Sequence, residues 1–439
     1  MLQSLRRFCF LILSVFACYI IFLNLYRSWF TPPPQTRLDR LQTDLILQAI
    51  TSDRVRSFLD KDLINNFYRL ALDDYLKVTD RSQVIYQVGL LYIKTGQLEK
   101  AFTLWEEEDS LQMCLRHLWQ PNPQVLSGAE DLIKQKLDGW YEYFALYRLY
   151  ELAKPQLLPV FTLQETIEAE SAFVRLIIVN FIPIVGSLLG LVVLIVYGLK
   201  LRQSDRLAWQ IPWDGETLWY VLVSWFCTYT LVAQTLPRVL GGWFSNFNFG
   251  QAFVIGISYV GSMVPLLVIF RIFLSRFPNW QSILYKFSPL NWKTILWGGG
   301  GYLGAIPLVV SSSLVQQFAL RGRGGGNPLL EIISHSQNYW SITIFWITLG
   351  ISAPLFEELL FRGFLLPTFT KYLHIRVAIL LSALLFAVAH MNINDILPLT
   401  VLGVVLGVVY DRSRNLISPI VLHSLWNTGS FVSILLLSS

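Results

Sequence analysis

Six residues in the last third of the chain could do chemistry together: Glu357, Glu358, Arg362, His390, His423 and Asn427. They stand in three short patterns, Glu357-Glu-Leu-Leu-Phe-Arg362, Phe386-Ala-Val-Ala-His390 and His423-Ser-Leu-Trp-Asn427, each within an apolar stretch. An ionisable side chain in hydrocarbon costs about 2.5–3.5 kcal/mol or more, so its presence there points to function. Taken singly, each could be no more than a polar contact between helices. Outside the acidic segment Thr31–Glu170, only Glu357 and Glu358 among eight acidic residues fall inside an apolar span. Of five histidines, only His390 and His423 do. That concentration argues for a site.

The spacing assigns tasks. Glu358 and Arg362 are four residues apart, share one helical face and can pair, which keeps the carboxylate ionised and held. Glu357 points about 100° away, unpaired within its own helix, and is the freer candidate for a general base. Tertiary contacts could reverse that assignment. Phe386 lies one turn before His390, and His423 and Asn427 lie one turn apart on one face, able to converge on one point. At about 1.5 Å per residue, Glu357 lies about 15 Å from the cytoplasmic end of its span and His423 about 10 Å from the start of its own. His390 lies about 21 Å in, so the three can meet in the cytoplasmic half or near the midplane.

Other chemistries fare worse. One carboxylate with two histidines is a common zinc ligand set, but the His-Glu-x-x-His signature is absent. No cofactor is therefore expected, and zinc is the alternative. Ser382 and Ser424 lack a Gly-x-Ser-x-Gly elbow, and Cys227 has no motif beside it. The four cysteines, Cys9, Cys18, Cys114 and Cys227, are too scattered for a disulfide framework. Gly298–Gly301 reads as close helix packing, since no Gly-Lys-Ser/Thr follows it. His117, His335 and His374 read as ordinary surface or core residues.

The elements that must position these groups are membrane helices. Hydrophobic residues make up 54% of the 439 and charged ones only 14%, well below the roughly 25% of ordinary globular chains. The mean hydropathy is +0.49. These values exclude a disordered chain, a coiled coil, a collagen and a secreted disulfide scaffold. Nine apolar stretches are expected to span: Phe8–Tyr26, Leu176–Leu199, Leu218–Leu236, Ala252–Phe270, Thr294–Ala319, Tyr339–Leu366, Val377–Met391, Ile396–Tyr410 and Leu416–Leu437. The first reads as an uncleaved anchor, with no small-residue cleavage site before Thr31-Pro-Pro-Pro.

Charge separates a second region. Thr31–Glu170 holds 21 of the 29 acidic and 15 of the 34 basic residues, a net of −6; the remainder is +11. Its positive charge lies in short loops between apolar segments, so no nucleic-acid partner is indicated. Arg6/Arg7, Lys200/Arg202/Arg206, Arg271/Arg276/Lys286/Lys293, Lys371/Arg376 and Arg412/Arg414 fall on one side when nine spans alternate. Only Arg238, Arg321 and Arg323 fall on the other. The positive-inside rule then makes the N-terminus cytoplasmic and residues 31–171 extracytoplasmic, with a bacterial cytoplasmic membrane the expected location. Within the acidic region, Val84–Trp105 resembles one tetratricopeptide repeat, with Gly89, Tyr92, Gly96, Ala101 and Trp105 at its small and aromatic packing positions. Flanking stretches match poorly. This domain either binds a protein partner or packs on the membrane body.

The expected fold class is all-α, a polytopic transmembrane helix bundle with an N-terminal helical, tetratricopeptide-like extramembrane domain. The expected divisions are an anchor at 1–30, a soluble helical domain at 31–171, additional transmembrane helices at 172–290 and a catalytic core at 291–439.

Glu-Glu-x-x-x-Arg, Phe-x-x-x-His and His-x-x-x-Asn, in that order on three late helices, resemble the CPBP intramembrane proteases. That group includes the CAAX prenyl endopeptidases and bacteriocin-processing proteins. The resemblance covers about Asn291 to the C-terminus, with the motifs confined to Glu357–Asn427. It implies glutamate-dependent hydrolysis of peptide bonds in membrane-associated proteins or peptides. Glu357 would take a proton from water, His390 would orient that water, His423 and Asn427 would donate to the oxyanion, and Arg362 would hold Glu358. Two other classes remain open at this point. A transporter could relay protons through the same cluster, though no inverted repeat is visible. A non-catalytic scaffold could retain the cluster while the soluble domain does the work.

Overall fold

The computed structural model describes residues 2–30, 35–78, 81–106, 108–201, 209–284, 291–320, 332–333, 336 and 338–438. Every regular element among these residues is helical. Thr31–Pro34, Arg202, Arg206, Lys286, Arg321, Arg323, His335 and all of the loop Gly322–Ser334 except 332–333 lie outside the described residues.

The helices run α1 (Leu2–Phe30), α2 (Gln35–Ala49), α3 (Asp53–Arg56), α4 (Lys61–Leu76), α5 (Ile85–Lys94), α6 (Leu98–Leu104), α7 (Ser110–Trp119), α8 (Ala129–Lys136), α9 (Gly139–Ala153) and α10 (Leu158–Leu201). They continue with α11 (Gly215–Phe244), α12 (Gly250–Met263), α13 (Pro265–Leu274), α14 (Trp280–Leu284) and α15 (Trp292–Leu320). The last four are α16 (Tyr339–Thr370), α17 (Ile375–Ala389), α18 (Ile396–Ser413) and α19 (Ile417–Ser438). The chain divides into two compact units, Met1–Pro34 with Pro183–Leu435, and Gln35–Ile182 with Leu436–Ser438.

The second unit is a set of short helices around one apolar core. Asp44 on α2 accepts hydrogen bonds from Tyr75 on α4 (2.7 Å) and Tyr141 on α9 (2.9 Å), and burial pushes its carboxyl up to about 7. Gly96, at φ +79°, follows α5 and lets the chain turn into α6. Gly89 then lies against the buried indole of Trp105, where any side chain would collide.

Seven helices are long and apolar enough to cross a membrane: Gln3–Phe30, Pro155–Tyr197, Gly250–Leu274, Trp292–Leu320, Tyr339–Thr370, Ile393–Ser413 and Ile417–Ser438. The other two expected spans are helical as well. α11 runs 30 residues but carries Trp219, Tyr220, Trp225, Thr228, Tyr229 and Thr230, which dilute its hydropathy. α17 has 15 residues, about 22 Å of helix.

Small residues set how closely the membrane helices approach. A Cβ on Gly301 of α15 would lie 2.6 Å from Leu422 and 2.7 Å from Val409, and one on Gly298 would lie 2.7 Å from Val421. The glycine run is therefore a packing face. Gly403 and Gly407 of α18 lie in the same way against Ala383 and Ile379 of α17. Around these contacts a core containing Trp213, Phe270, Phe364 and Tyr410 holds the helices that carry the polar residues.

Candidate active site

α16 is interrupted twice, by π-helical turns at Ile347–Ser352 and Leu359–Leu365, with Ala353–Glu358 between them. The cause is readable in the sequence. Pro354 and Pro367 have no N–H to return to the preceding turn, and glycine stands four residues before each, at Gly350 and Gly363, where the proline ring presses on the backbone. A five-residue bond from the Leu349 carbonyl would need the missing N–H of Pro354. That carbonyl instead accepts from the amide nitrogen of Asn427 on α19 at 2.9 Å.

The two glutamates separate by environment. Glu358 and Arg362 are fully buried, with Arg362 Nη1 donating to Glu358 Oε1 at 2.8 Å. Arg362 Nη2 donates to the Gly403 carbonyl at 3.1 Å, and its guanidinium lies 4.6 Å from the Phe386 ring centroid. Glu358 Oε1 also meets His423 Nδ1 at 2.8 Å. One carboxylate thus bridges a guanidinium and an imidazole, a tertiary addition to the expected helical pair.

Glu357 faces elsewhere. Its Oε1 accepts a hydrogen bond from Tyr259 of α12 at 2.8 Å. Its Oε2 lies 3.9 Å from His423 Nε2 and has no hydrogen-bond partner among the described residues. His390 is the residue that ends α17, and Met391 behind it sits at φ +54°. The expected span Val377–Met391 put His390 one residue from its end, and α17 closes at Ala389, just before it. Its Nδ1 lies 2.8 Å from the Phe386 carbonyl, which can only accept, so Nδ1 carries the proton and neutral Nε2 is an acceptor. The Phe386 ring packs edge-on against both His390 (4.9 Å) and His423 (5.6 Å).

Glu357, His390, His423 and Asn427 line one cavity of about 690 Å³. Glu358 and Arg362 lie behind its wall. Its other walls include Tyr229 and Tyr259 from α11 and α12, and Asn24 and Ser28 from α1. Sequence spacing did not point to these residues. One signal was present for Tyr259: Gly256, one turn earlier, where a Cβ would lie 2.9 Å from Thr348 and 3.0 Å from Ile344 of α16. That glycine allows α12 to come close enough for the tyrosine to reach. Ser382 is engaged with the Phe361 carbonyl (3.0 Å) and is not among the cavity residues. Among the described residues, no three His, Cys, Asp or Glu are arranged to hold a metal ion.

A helical bundle with apolar spans and a buried carboxylate–histidine cluster beside an internal cavity defines a membrane protein whose polar site lies inside the bundle. Residues 339–429 match the family described as Type II CAAX prenyl endopeptidase Rce1-like. The chain is 37% identical over 90 residues to the UPF0177 protein YxdF of Lactococcus lactis subsp. lactis (strain IL1403), which is 20% of this chain and 49% of YxdF. It is 29% identical over 154 residues to the UPF0177 protein YaiF of the same strain, 33% of this chain and 65% of YaiF. It is 24% identical over 176 residues to a Bacillus subtilis (strain 168) protein named "Putative membrane peptidase YdiL", 39% of this chain and 69% of YdiL. The chain spans about half to two thirds of the length of these curated relatives. No solved structure matches it. Residues 339–429 are similar to the Rce1-like family, and the likeness to the CPBP proteases drawn from the three motifs stands. Together with the seven apolar helices, this makes it an integral membrane protein.

Proposed function

We propose that this protein is an intramembrane endopeptidase that hydrolyses peptide bonds of membrane-associated proteins or peptides with a glutamate-activated water. The observation that carries this reading is that Glu357, His390, His423 and Asn427 line one cavity, with Glu357 Oε2 3.9 Å from His423 Nε2 and without a hydrogen-bond partner among the described residues. Glu357 takes a proton from water at Oε2, and the Nε2 lone pair of His390 orients that water. The hydroxide attacks the scissile carbonyl carbon, and the proton held by Glu357 passes to the leaving nitrogen as the C–N bond breaks. With Nδ1–H donated to Glu358, Nε2 of His423 donates to the oxyanion when the ring carries both protons. Asn427 spends one N–H on Leu349 and retains the other as a second donor.

The finer architecture belongs to the same reading. Nine helices span, with α11 and α17 added to the seven long apolar ones. α5 and α6 form a single tetratricopeptide-like unit within residues 31–171, a surface for a protein partner. Residues 172–290 add transmembrane helices to a core at 291–439.

The activity test uses purified protein in proteoliposomes with two quenched fluorescent probes, a farnesylated peptide and a transmembrane peptide. Hydrolysis of either, without proton flux, is the expected result. Proton flux without hydrolysis would replace the reading with transport.

Two further outcomes are expected. Protease added to intact spheroplasts should release residues 31–171, because Arg6/Arg7 before the first span and Lys200/Arg202/Arg206 after the second hold both ends cytoplasmic. Cleavage only after detergent means the orientation is inverted. Hydrolysis should also proceed without a bound ion. The zinc signature is missing, and the Asn427 amide stands where a third strong ligand would be needed. Elemental analysis finding about one zinc per chain, with activity lost on stripping and restored on readdition, would refute this.

A further inference from the structure

We propose that Tyr259, on a helix outside the Rce1-like segment, is a positioning residue that holds Glu357 through Oε1 and so fixes the orientation of the carboxylate, with Oε2 left as its free acceptor beside His423. This rests on Glu357 being the base.

The geometry builds it in three steps. Gly256 lets the backbone of α12 close on α16 beside the first π-helical turn, against Thr348 and Ile344. Tyr259, three residues on and on the same face, then reaches Glu357 Oε1 at 2.8 Å. The other oxygen is left without a partner among the described residues, 3.9 Å from His423 Nε2. A carboxylate with two equivalent open oxygens can rotate about its last torsion, which is broad. One bound to a phenol at a fixed place cannot rotate without losing a charge-assisted hydrogen bond. Tyr259 also lines the cavity, as Glu357 does.

Tyr259 from α12, Tyr229 from α11 and His423 from α19 face Glu357; Glu358 and Arg362 lie on its own helix; His390 from the end of α17, Arg27 of α1 and Asp395 before α18 line the same cavity. Of these, among the described residues only Tyr259 lies within hydrogen-bond distance of Glu357, so its removal should be felt there first.

The experiment measures pH–rate profiles of wild type, Tyr259→Phe and a variant with a fluorinated tyrosine at position 259, using the two fluorescent probes in proteoliposomes. Tyr259→Phe keeps the ring and should lower kcat by about 10–100-fold with KM unchanged. The acid limb of its profile should move to higher pH, because a hydrogen bond that favoured the charged carboxylate is gone. The fluorinated tyrosine, a stronger donor, should move the limb to lower pH. A purely structural role would lower melting temperature and rate together without moving the limb in opposite directions. Isotope-edited infrared spectra provide a readout that needs no turnover. The Glu357 carboxylate band, assigned by its loss in Glu357→Gln, should shift in Tyr259→Phe. An unmoved limb with full activity in Tyr259→Phe, or an unshifted band, overturns the positioning role. A wild type that cleaves neither probe overturns the endopeptidase reading and the role of Tyr259 with it, whatever the infrared band does.

Discussion

Glu357→Gln should lower peptide hydrolysis by about 10²–10⁴ while leaving expression and melting temperature close to wild type. The substitution keeps volume and leaves a side-chain oxygen to accept from Tyr259, but it removes the proton acceptor at the atom that has no other partner. Little stability is at stake, because Glu357 makes no salt bridge to a permanent cation among the described residues and is the less buried of the two carboxylates. The checks are kcat and KM on both fluorescent probes and a melting curve in detergent. A fully active Glu357→Gln beside a folded, inactive Glu358→Gln would mean that the glutamates have been assigned the wrong way round.

Glu358→Gln should act on the fold first. Among the described residues its carboxylate is the only counter-charge within salt-bridge distance of the buried Arg362 guanidinium, and it also holds His423 through Nδ1. Removing one member of a buried ion pair costs about 3–5 kcal/mol, much of it the penalty of the charge left behind. Expression yield and melting temperature should therefore fall together with activity. Arg362→Met combined with Glu358→Gln removes the stranded charge and keeps an unbranched side chain against Phe386, so the double variant should melt above the single one. Activity should stay low in both, since His423 has lost its anionic partner. A single variant as stable as wild type, or a double variant no better than the single, would show that the pair contributes little.

These two outcomes separate what the chain's order of residues settles from what folding adds. The pairing of Glu358 with Arg362 was legible because it is local: four residues on a helix place two side chains on one face, and a second π-turn beginning at Leu359 does not break it. The apolar stretches were legible for a similar reason, since a membrane demands long runs without charge whatever they pack against. The close-packing role of Gly298–Gly301 also followed from small residues in such a run.

The rest depended on contacts between distant segments. His423 meets Glu358 across 65 residues, and Tyr259 meets Glu357 across 98; among 19 tyrosines no spacing rule singles out one. His390 stands just past the last residue of its helix, close to where the expected span ends, and what the apolar pattern does not encode is the left-handed turn at Met391 behind it. The sequence by itself determined which residue types are buried in apolar helices and which neighbours on one helix can pair, because helix geometry and the cost of charge in hydrocarbon act over a few residues. The tertiary structure alone decided which glutamate lines the cavity and which of its oxygens Tyr259 holds, because that depends on where Gly256 lets α12 approach and on which partners α19 brings to the other carboxylate.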